Sequence, residues 1–469
     1  MVKPRQPSDA RQLRLFGEGD ILPVGRGEAG SGPAPRGESV LPSASGREDT
    51  PREHLMERIC DEENLKRALA KVRSNRGSCG VDGMTVTELG SWFPAHVGEL
   101  AERLLAGAYQ PDPVRGVKIP KPGGGERQLG IPTVVDRLVQ QAVLQVLEPI
   151  LDPGFSDSSF GFRPGRSAHQ ALRQAQGYVA EGRNYVVDLD VEKFFDRVNH
   201  DVLMSRLSRH VRDKRVLRLI GRFLRAGMMQ EGVRLAREEG TPQGGPLSPL
   251  LANLLLDDLD RELESRGHCF CRYADDCNIY VGSAKAGERV MASVTRFLEE
   301  RLKLRVNREK SAVAPVWERK FLGHRLLSGG RLGVAAKSVE RFQARIVEIT
   351  RRSRGVSFGL MVSEVNRYAT GWVTYYRYAE CGSRLDQLDG WLRRRLRCFR
   401  LKQCKRAKGI AKFLRKQGIG KDQAWMLAGS GKGWWRKSLS PQSSKAMSLG
   451  WFKRIGLAGL KSRHAELNR

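Results

Sequence analysis

The spacing of apolar and polar residues changes along the chain and predicts regions of different character. Residues 1–52 contain many Gly, Pro, Ser and Glu but few large apolar side chains, which predicts a disordered arm. Residues 53–110 carry apolar positions at helical spacing from Leu55 to Val72, so we expect a helical N-terminal extension. From 111 to 333, short apolar runs alternate with helical stretches, and this alternation is typical of an α+β or α/β domain.

Beyond residue 333 the pattern is helical throughout. Val339, Phe342 and Ile346 form one apolar stripe, and two further stripes follow it. Such stripes are usually the buried faces of packed helices, so residues 334–440 are predicted to form an all-helical bundle. Residues 441–469 then remain as a short basic tail. No apolar run reaches the roughly 20 residues that span a bilayer, and we see no secretory signal, so we expect no membrane partner.

Several turns and helix starts in the α/β region are visible in the pattern. Asn184 to Asp190 is predicted to be a buried strand, and Cys269 to Val281 to be two strands around a tight turn at Ala274-Asp275-Asp276. Gly123-Gly124-Gly125 is interpreted as a hairpin turn, since no Gly-Lys-Ser/Thr follows to make it a phosphate loop. Ser248 is predicted to cap a helix that begins at Pro249.

The composition adds a partner to this picture. The formal net charge is +30 and the isoelectric point is about 10.2, while 40% of the residues are hydrophobic. Self-repulsion of that size is tolerated when a polyanion neutralises it, and nucleic acid fits better than a merely solvated cationic surface. The eight cysteines include no CxxC pair, so we expect reduced thiols in a reducing cytoplasm and no zinc site.

Acidic residues at the predicted turn indicate metal chemistry. Asp275 and Asp276 are adjacent, and a divalent cation removes the cost of holding two carboxylates side by side. A third carboxylate ends the buried strand, but Asp188 and Asp190 point the same way in a strand, so the pattern leaves the choice between them open. Three such carboxylates can hold two Mg²⁺ ions about 3.5–4 Å apart. The alternative is that these acids are ordinary turn and strand-end residues.

The order of several motifs resembles a known family. The segment Asp190 to Asp196 (DVEKFFD) is followed by Thr241 to Pro249 (TPQGGPLSP) and by Tyr273 to Asp276 (YADD). Downstream lie NREK (307–310) and FLG (321–323), and upstream IPKP (119–122), QLGIPT (128–133) and SFGFRPG (159–165). This series is similar to reverse transcriptases, and more narrowly to the reverse transcriptase/maturases of bacterial group II introns. The resemblance extends from about Leu55 to the end of the chain.

The resemblance implies a right-hand polymerase, with fingers and palm at 111–333 and a helical thumb at 334–440. It favours Asp190 over Asp188 as the third metal ligand beside Asp275 and Asp276. It also implies roles for residues around them. Phe195 would exclude a 2′-hydroxyl, Lys310 would donate a proton to the leaving pyrophosphate, and Leu322 and Gly323 would support the primer end. The residues implied to contact the dNTP are Lys121, Arg127, Phe195, Gln243 and Gly244.

The same resemblance implies that the thumb binds intron RNA. Its predicted helices are rich in basic residues and nearly lack acidic ones, which favours a nucleic-acid surface over an ordinary solvated face. The expected partners are group II intron RNA, a DNA target and primer strand, and dNTPs. The residues assigned to nucleic-acid binding are Arg163, Arg393, Arg394, Arg397, Lys402, Lys405 and Arg406.

Three other functions stay open at this point. A maturase that only binds RNA has no need of a carboxylate cluster, whereas a domesticated repair or defence polymerase would keep it. An RNA-dependent RNA polymerase shares the two-metal chemistry, but Phe195 argues against it. Many relatives also append an HNH endonuclease with CxxC pairs; this sequence has no such pairs, so we expect no endonuclease activity.

Overall fold

The structure is a computed structural model that describes residues 54–120, 125–230, 233–235 and 239–469. The predicted arm at 1–52 and Lys121 lie outside the described residues. The chain divides into two compact units whose boundary falls between Arg319 and Lys320.

The helices of the first unit begin with a break that the apolar pattern does not show. The single helix expected from Leu55 to Val72 is two helices, because Asp61 has extended backbone angles and its side chain accepts from the N–H of Asn64 as an N-cap. The helices of this unit are α1 (Leu55–Cys60), α2 (Glu62–Ser74), α3 (Val86–Leu105), α4 (Val134–Leu151), α5 (Ala168–Ala180), α6 (His200–Leu207), α7 (Lys214–Arg225), α8 (Ser248–Ser265) and α9 (Ala284–Arg301).

Two four-stranded sheets accompany these helices. The first has the order β2-β1-β4-β5, and the second is antiparallel throughout with the order β6-β7-β3-β8. The strands are β1 (Val114–Pro120), β2 (Glu126–Ile131), β3 (Tyr185–Leu189), β4 (Met228–Gln230), β5 (Val233–Leu235), β6 (Cys269–Tyr273), β7 (Asp276–Val281) and β8 (Ala312–Pro315).

The second sheet is covered by helices, and this packing fixes its position. Helix α9 contacts β3, β7 and β8, while α5 and α8 contact β6. Val187, Leu189 and Ile279 are at most 1% exposed, and burying an aliphatic side chain of this kind stabilises the fold by about 1.5–3 kcal/mol. Three buried polar residues, Arg272 on β6 and Asn253 and Asp260 on α8, lie where this sheet meets α8.

The second unit is helical apart from one short hairpin. The hairpin joins β9 (His324–Leu326) and β10 (Leu332–Val334) and belongs with the helices, since the N–H of Glu380 donates to the carbonyl of Leu332 at 2.7 Å. The unit boundary therefore lies earlier than the 333/334 position expected from the sequence. Its helices are α10 (Ala336–Ile349), α11 (Phe358–Tyr375), α12 (Gly382–Gln403), α13 (Ala407–Lys416), α14 (Lys421–Gly429), α15 (Trp434–Lys437), α16 (Pro441–Ala446), α17 (Leu449–Arg454) and α18 (Leu460–Leu467).

The last residues, expected to be a short basic tail, are helical and packed against the bundle. The buried carboxylate of Asp389 on α12 accepts from the N–H groups of Leu460 and Lys461 at 2.9 and 3.2 Å, which holds the start of α18. In the described part of the chain, no helix is both long enough and apolar enough to cross a membrane. The expected α/β region followed by helices is confirmed.

Candidate active site at the end of the antiparallel sheet

The acidic turn lies between β6 and β7, as the sequence predicted. Tyr273 pairs with Asp276, so Ala274 and Asp275 form a two-residue loop. Ala274 has a φ of 59°, whereas Asp275 has no positive φ, and this combination is that of a type II′ hairpin turn. The turn leaves Asp275 at its tip and Asp276 at the first position of β7.

The register of the sheet brings Asp190 to this turn. Strand β3 pairs with β7 so that its last residue, Leu189, is opposite Cys277. Asp190 follows Leu189 directly, and Asp276 precedes Cys277 as the first residue of β7, so both aspartates lie at the same end of this strand pair. The backbone of Asp190 is also fixed, because its N–H donates to Oγ of Ser311 at 3.0 Å and its carbonyl accepts from the N–H of Asn307 at 2.8 Å.

The two aspartates that the sequence left as alternatives have different environments. Oδ2 of Asp188 accepts from Nε of Arg319 at 2.7 Å, and the same guanidinium donates to the carbonyl of Lys310 at 2.6 Å. The side chain of Asp188 is 15% exposed, against 30% for Asp190, which faces Nζ of Lys310 at 3.6 Å. Asp188 is therefore committed to an internal ion pair, while Asp190 lies beside the predicted proton donor.

The carboxylates supply oxygen ligands of the kind that Mg²⁺ prefers, so the donor chemistry fits that ion. The register gathers Asp190 and Asp276, and the turn holds Asp275 next to them. Within the described ranges, no group of three or more His, Cys, Asp or Glu side chains is placed to hold a metal ion as it stands. The end of the β3–β7 pair and the turn thus place the backbones of the three predicted ligands in the same region of the sheet.

Three of the residues predicted to contact the dNTP, Arg127, Gln243 and Phe195, lie around one loop. Nε of Arg127 on β2 donates to Oε1 of Gln243 at 2.7 Å, and the N–H of Gly130 donates to the carbonyl of Gln243 at 3.0 Å. The N–H of Thr241 donates to the carbonyl of Phe195 at 2.6 Å. The loop at 241–245 therefore joins the first sheet to the segment that follows Asp190.

Glycine is required within this loop. Gly244 has a φ of 130°, and a β-carbon there would lie 3.0 Å from the carbonyl oxygen of Gly130. The loop is also tied to α8: the hydroxyl of Ser248 donates to the carbonyl of Pro242 at 2.8 Å. The prediction that Ser248 caps α8 is wrong, because Ser248 is already the first helical residue and its side chain bonds backward to the loop.

The predicted primer-supporting residues form a turn in the second unit. Phe321 and His324 exchange backbone hydrogen bonds, and Leu322 and Gly323 between them have φ values of 49° and 75°, the pattern of a type I′ turn. The hydroxyl of Tyr375 donates to the carbonyl of Leu322 at 2.8 Å, which stiffens the turn. No local pattern marks Tyr375 for this role, since it is 53 residues away in sequence.

Comparison with known proteins identifies the family. Residues 119–326 match the family described as reverse transcriptase (RNA-dependent DNA polymerase), and residues 339–418 match the group II intron, maturase-specific domain. Protein YkfC of Escherichia coli K12 is 35% identical over 317 residues, which cover 59% of this chain and 83% of YkfC. The chain belongs to the group II intron reverse transcriptase/maturase family. The resemblance drawn from the sequence motifs is confirmed.

Other relatives match over a smaller part of their length. The group II intron-encoded protein LtrA of Lactococcus lactis subsp. cremoris is 36% identical over 195 residues, covering 41% of this chain and 32% of LtrA. A putative COX1/OXI3 intron 1 protein of Saccharomyces cerevisiae is 30% identical over 218 residues, covering 46% of this chain and 26% of that protein. The matched region thus covers about a third or less of the length of each of these two intron proteins.

In this reverse transcriptase/maturase, the predicted RNA-binding residues on α12 and in the turn beyond it divide into two groups. The guanidinium of Arg394 lies 3.9 Å from the ring centroid of Trp435, and that of Arg397 donates to the carbonyl of Met447 at 3.0 Å. Burial also lowers the pKa of Arg397. These arginines pack the bundle, and Arg393 is half-buried beside them. The exposed group consists of Lys402, Lys405 and Arg406.

Arg163 was also predicted to bind nucleic acid, but its side chain is buried. Its side chain is 4% exposed and Nε donates to Asp152 at 2.7 Å. Its other nitrogens donate to the carbonyls of Ser156, Ser159 and Asp152. With these internal partners the guanidinium stabilises the loop and is not available to bind a phosphate. The basic residue type alone therefore did not predict the role of this position.

Proposed function

We propose that this chain is an RNA-directed DNA polymerase that copies group II intron RNA into DNA and binds the intron RNA to assist its splicing. One observation carries the proposal: the β3–β7 register brings Asp190 to the Asp275-Asp276 turn in a chain whose two matched regions are a reverse transcriptase and a maturase-specific domain. A binding protein alone would have no use for such an arrangement of acids.

Asp190, Asp275 and Asp276 are the residues that would hold two Mg²⁺ ions. Bound ions of this kind lower the pKa of an attacking hydroxyl and stabilise the charge on a leaving pyrophosphate. Lys310 is proposed to give the pyrophosphate its proton, and its place 3.6 Å from Asp190 puts the ammonium at the right end of the sheet. Asp188 is not included, because Arg319 already occupies its carboxylate.

The dNTP is proposed to bind where the first sheet meets the loop at 241–245. Arg127 and Lys121 would contact the triphosphate, and Gln243 and Gly244 would line the pocket. The Arg127–Gln243 hydrogen bond supports this grouping, since it already orients one donor toward the loop. Phe195 would contact the sugar and leave no room for a 2′-hydroxyl; its backbone bond to Thr241 fixes it beside the same loop.

Leu322 and Gly323 are proposed to support the primer end, and the exposed basic residues Lys402, Lys405 and Arg406 to contact the phosphates of intron RNA. The primer turn is rigid enough for this role because the carbonyls of both residues are bonded within the second unit, to Tyr375 and Ser338. The match to a maturase-specific domain supports the RNA-binding part of the proposal.

Primer extension on an RNA template with dNTPs and Mg²⁺ tests the proposal. The wild type is compared with Asp275→Ala, and Asp201→Ala on the exposed start of α6 serves as a matched control for loss of one carboxylate. We expect the wild type and the control to extend the primer and Asp275→Ala to fail. If no form extends the primer while intron RNA binds tightly, the polymerase is refuted and an RNA-binding maturase remains.

A further inference from the structure

A fully buried arginine lies directly beneath the acidic turn. Arg272 is the second-last residue of β6 and has no exposed surface. Its Nε donates to both carboxylate oxygens of Asp260 on α8, at 2.7 and 3.0 Å, and Nη2 donates to Oδ2 at 2.5 Å. Asp260 is equally buried. A buried ion pair is costly in desolvation and is weak evidence for stability by itself, so its remaining bonds indicate what it is for.

Those remaining bonds converge on the turn and its surroundings. Nη1 donates to the carbonyl of Ala274 at 2.9 Å and to Oδ1 of Asn253 at 2.9 Å, while Nη2 donates to Oγ of Ser159 at 2.7 Å. The planar fork of a guanidinium presents several donors in fixed directions, which a lysine ammonium does not. The Arg272 side chain thus joins α8, Ser159 and the peptide group between Ala274 and Asp275 through its hydrogen bonds.

The opposite side of the turn is also restrained. Nδ2 of Asn253 donates to the carbonyl of Gly161 at 2.9 Å. A β-carbon at Gly161 would lie 2.8 Å from the carbonyl carbon of Tyr273 and closer still to the amide nitrogen of Ala274. Ala274 itself has a φ of 59°, a left-handed conformation that a residue with a side chain rarely adopts. Ala274 is therefore held at its carbonyl by Arg272 and at its amide nitrogen by close packing against Gly161.

We propose that Arg272 is a positioning residue: by fixing the Ala274 carbonyl, it sets the direction of the Asp275 and Asp276 carboxylates and thereby the affinity of the turn for divalent cations. The inference rests on the proposed function, because it takes these carboxylates as metal ligands. Orientation of ligands by a surrounding hydrogen-bonded shell typically changes metal affinity or activity by 10- to 100-fold, so the effect is measurable. The competing explanation is that Arg272 only stabilises the fold.

The test uses the full chain and the variant Arg272→Lys. Lysine keeps a charge near Asp260 but has no fork with which to reach Ala274, Asn253 and Ser159 together. Binding of Mn²⁺ alone is measured by electron paramagnetic resonance, and kcat for primer extension is measured against Mg²⁺ concentration. We expect the Mn²⁺ dissociation constant and the Mg²⁺ requirement to rise about tenfold, while affinity for the template–primer stays within twofold.

A control separates positioning from stability. Arg206 on α6 donates from Nε to Asp258 of the same helix α8 at 2.7 Å, and Arg206→Lys disturbs that ion pair away from the turn. The Tm of each variant is measured as well, so that any loss of stability can be compared with the change in Mn²⁺ affinity. A loss of Mn²⁺ affinity in Arg272→Lys that Arg206→Lys does not share supports positioning. Equal Mn²⁺ affinity and Mg²⁺ dependence in the two variants overturns it.

A second variant disturbs the turn from its other side. Gly161→Ala keeps the Arg272 side chain but forces a β-carbon against the backbone of Ala274, so it does not depend on Arg272→Lys being folded. We expect the same weakening of Mn²⁺ binding, and unchanged affinity would count against the inference. If the wild type and Asp275→Ala bind Mn²⁺ equally, the metal site of the proposed function fails; if only Asp275→Ala differs from the wild type, the positioning role alone fails.

Discussion

Asp136 at the start of α4 should make the folded protein less stable as the pH rises from about 4 to about 6. The residue is 1% exposed, and its carboxylate accepts from the hydroxyls of Tyr109 at 2.7 Å and Thr133 at 2.8 Å. Burial raises the pKa of Asp136 from 3.8 to about 6, against the opposing effect of those two hydrogen bonds. The folded state therefore binds a proton more tightly at this site than the unfolded chain does.

The direction and size of the change in unfolding free energy follow from that difference in pKa. A group with a raised folded pKa contributes its stabilisation fully below the unfolded pKa of 3.8 and loses it as the pH rises through about 6. A difference of about 2 pKa units, at about 1.36 kcal/mol each, makes the free energy of unfolding about 3 kcal/mol smaller at pH 7 than at pH 3.5 from this residue alone. Asp136→Asn removes the ionisation, and with it this part of the pH dependence.

The assay is urea unfolding of the wild type and Asp136→Asn between pH 3.5 and 7.5, with hydrogen exchange of the α4 amides to confine the readout to the first unit. The exposed Asp201→Asn variant is the control for removing one carboxylate from the surface. We expect the difference in unfolding free energy between wild type and Asp136→Asn to change by about 3 kcal/mol across that range. Parallel pH curves for the two proteins would refute the reasoning.

Three further predictions concern the site and the RNA surface. Asp190→Asn should lower kcat for primer extension by about 100-fold or more, whereas Asp188→Asn, which breaks the ion pair with Arg319, should mainly lower Tm; the reverse order would exchange their roles. Phe195→Ala should raise incorporation of rNTPs relative to dNTPs, and unchanged sugar selectivity would remove Phe195 from the sugar contact. Replacing Lys405 and Arg406 by Gln should make RNA binding less sensitive to salt, by about 0.7 in the log–log slope for each lost phosphate contact; an unchanged slope would place the RNA elsewhere.

The local pattern was sufficient for the acidic hairpin and the strand that precedes Asp190. Both are short apolar runs with turn residues at their ends, so their signal lies within a dozen neighbouring residues. The choice between Asp188 and Asp190 was different, because alternate positions of a strand share a face and the pattern treats them alike. The structure distinguishes them by Arg319, 131 residues away from Asp188, and no local rule predicts that pairing.

The short C-terminal helices were missed for a related reason. Helices α16 and α17 have six residues each, fewer than two turns, so an apolar period has no room to repeat. Their starting signals are present, since Ser440 and Ser448 cap them. The capping residues therefore predict helices where the hydrophobic pattern predicted only a basic tail.

The arginines change how the net charge of +30 should be interpreted. Arg272 and Arg163 are buried and bonded internally, and Arg394 and Arg397 pack against aromatic rings and a carbonyl within the bundle. Guanidinium suits these positions because it is planar, stacks on rings and keeps several donors in a fixed fork. The formal charge therefore overstates the cationic surface of α12. Among the basic residues predicted to bind RNA on α12 and in the turn beyond it, the exposed ones are Lys402, Lys405 and Arg406. Salt-dependent RNA binding should therefore respond to substitutions at Lys405 and Arg406 and not to those at Arg394 or Arg397.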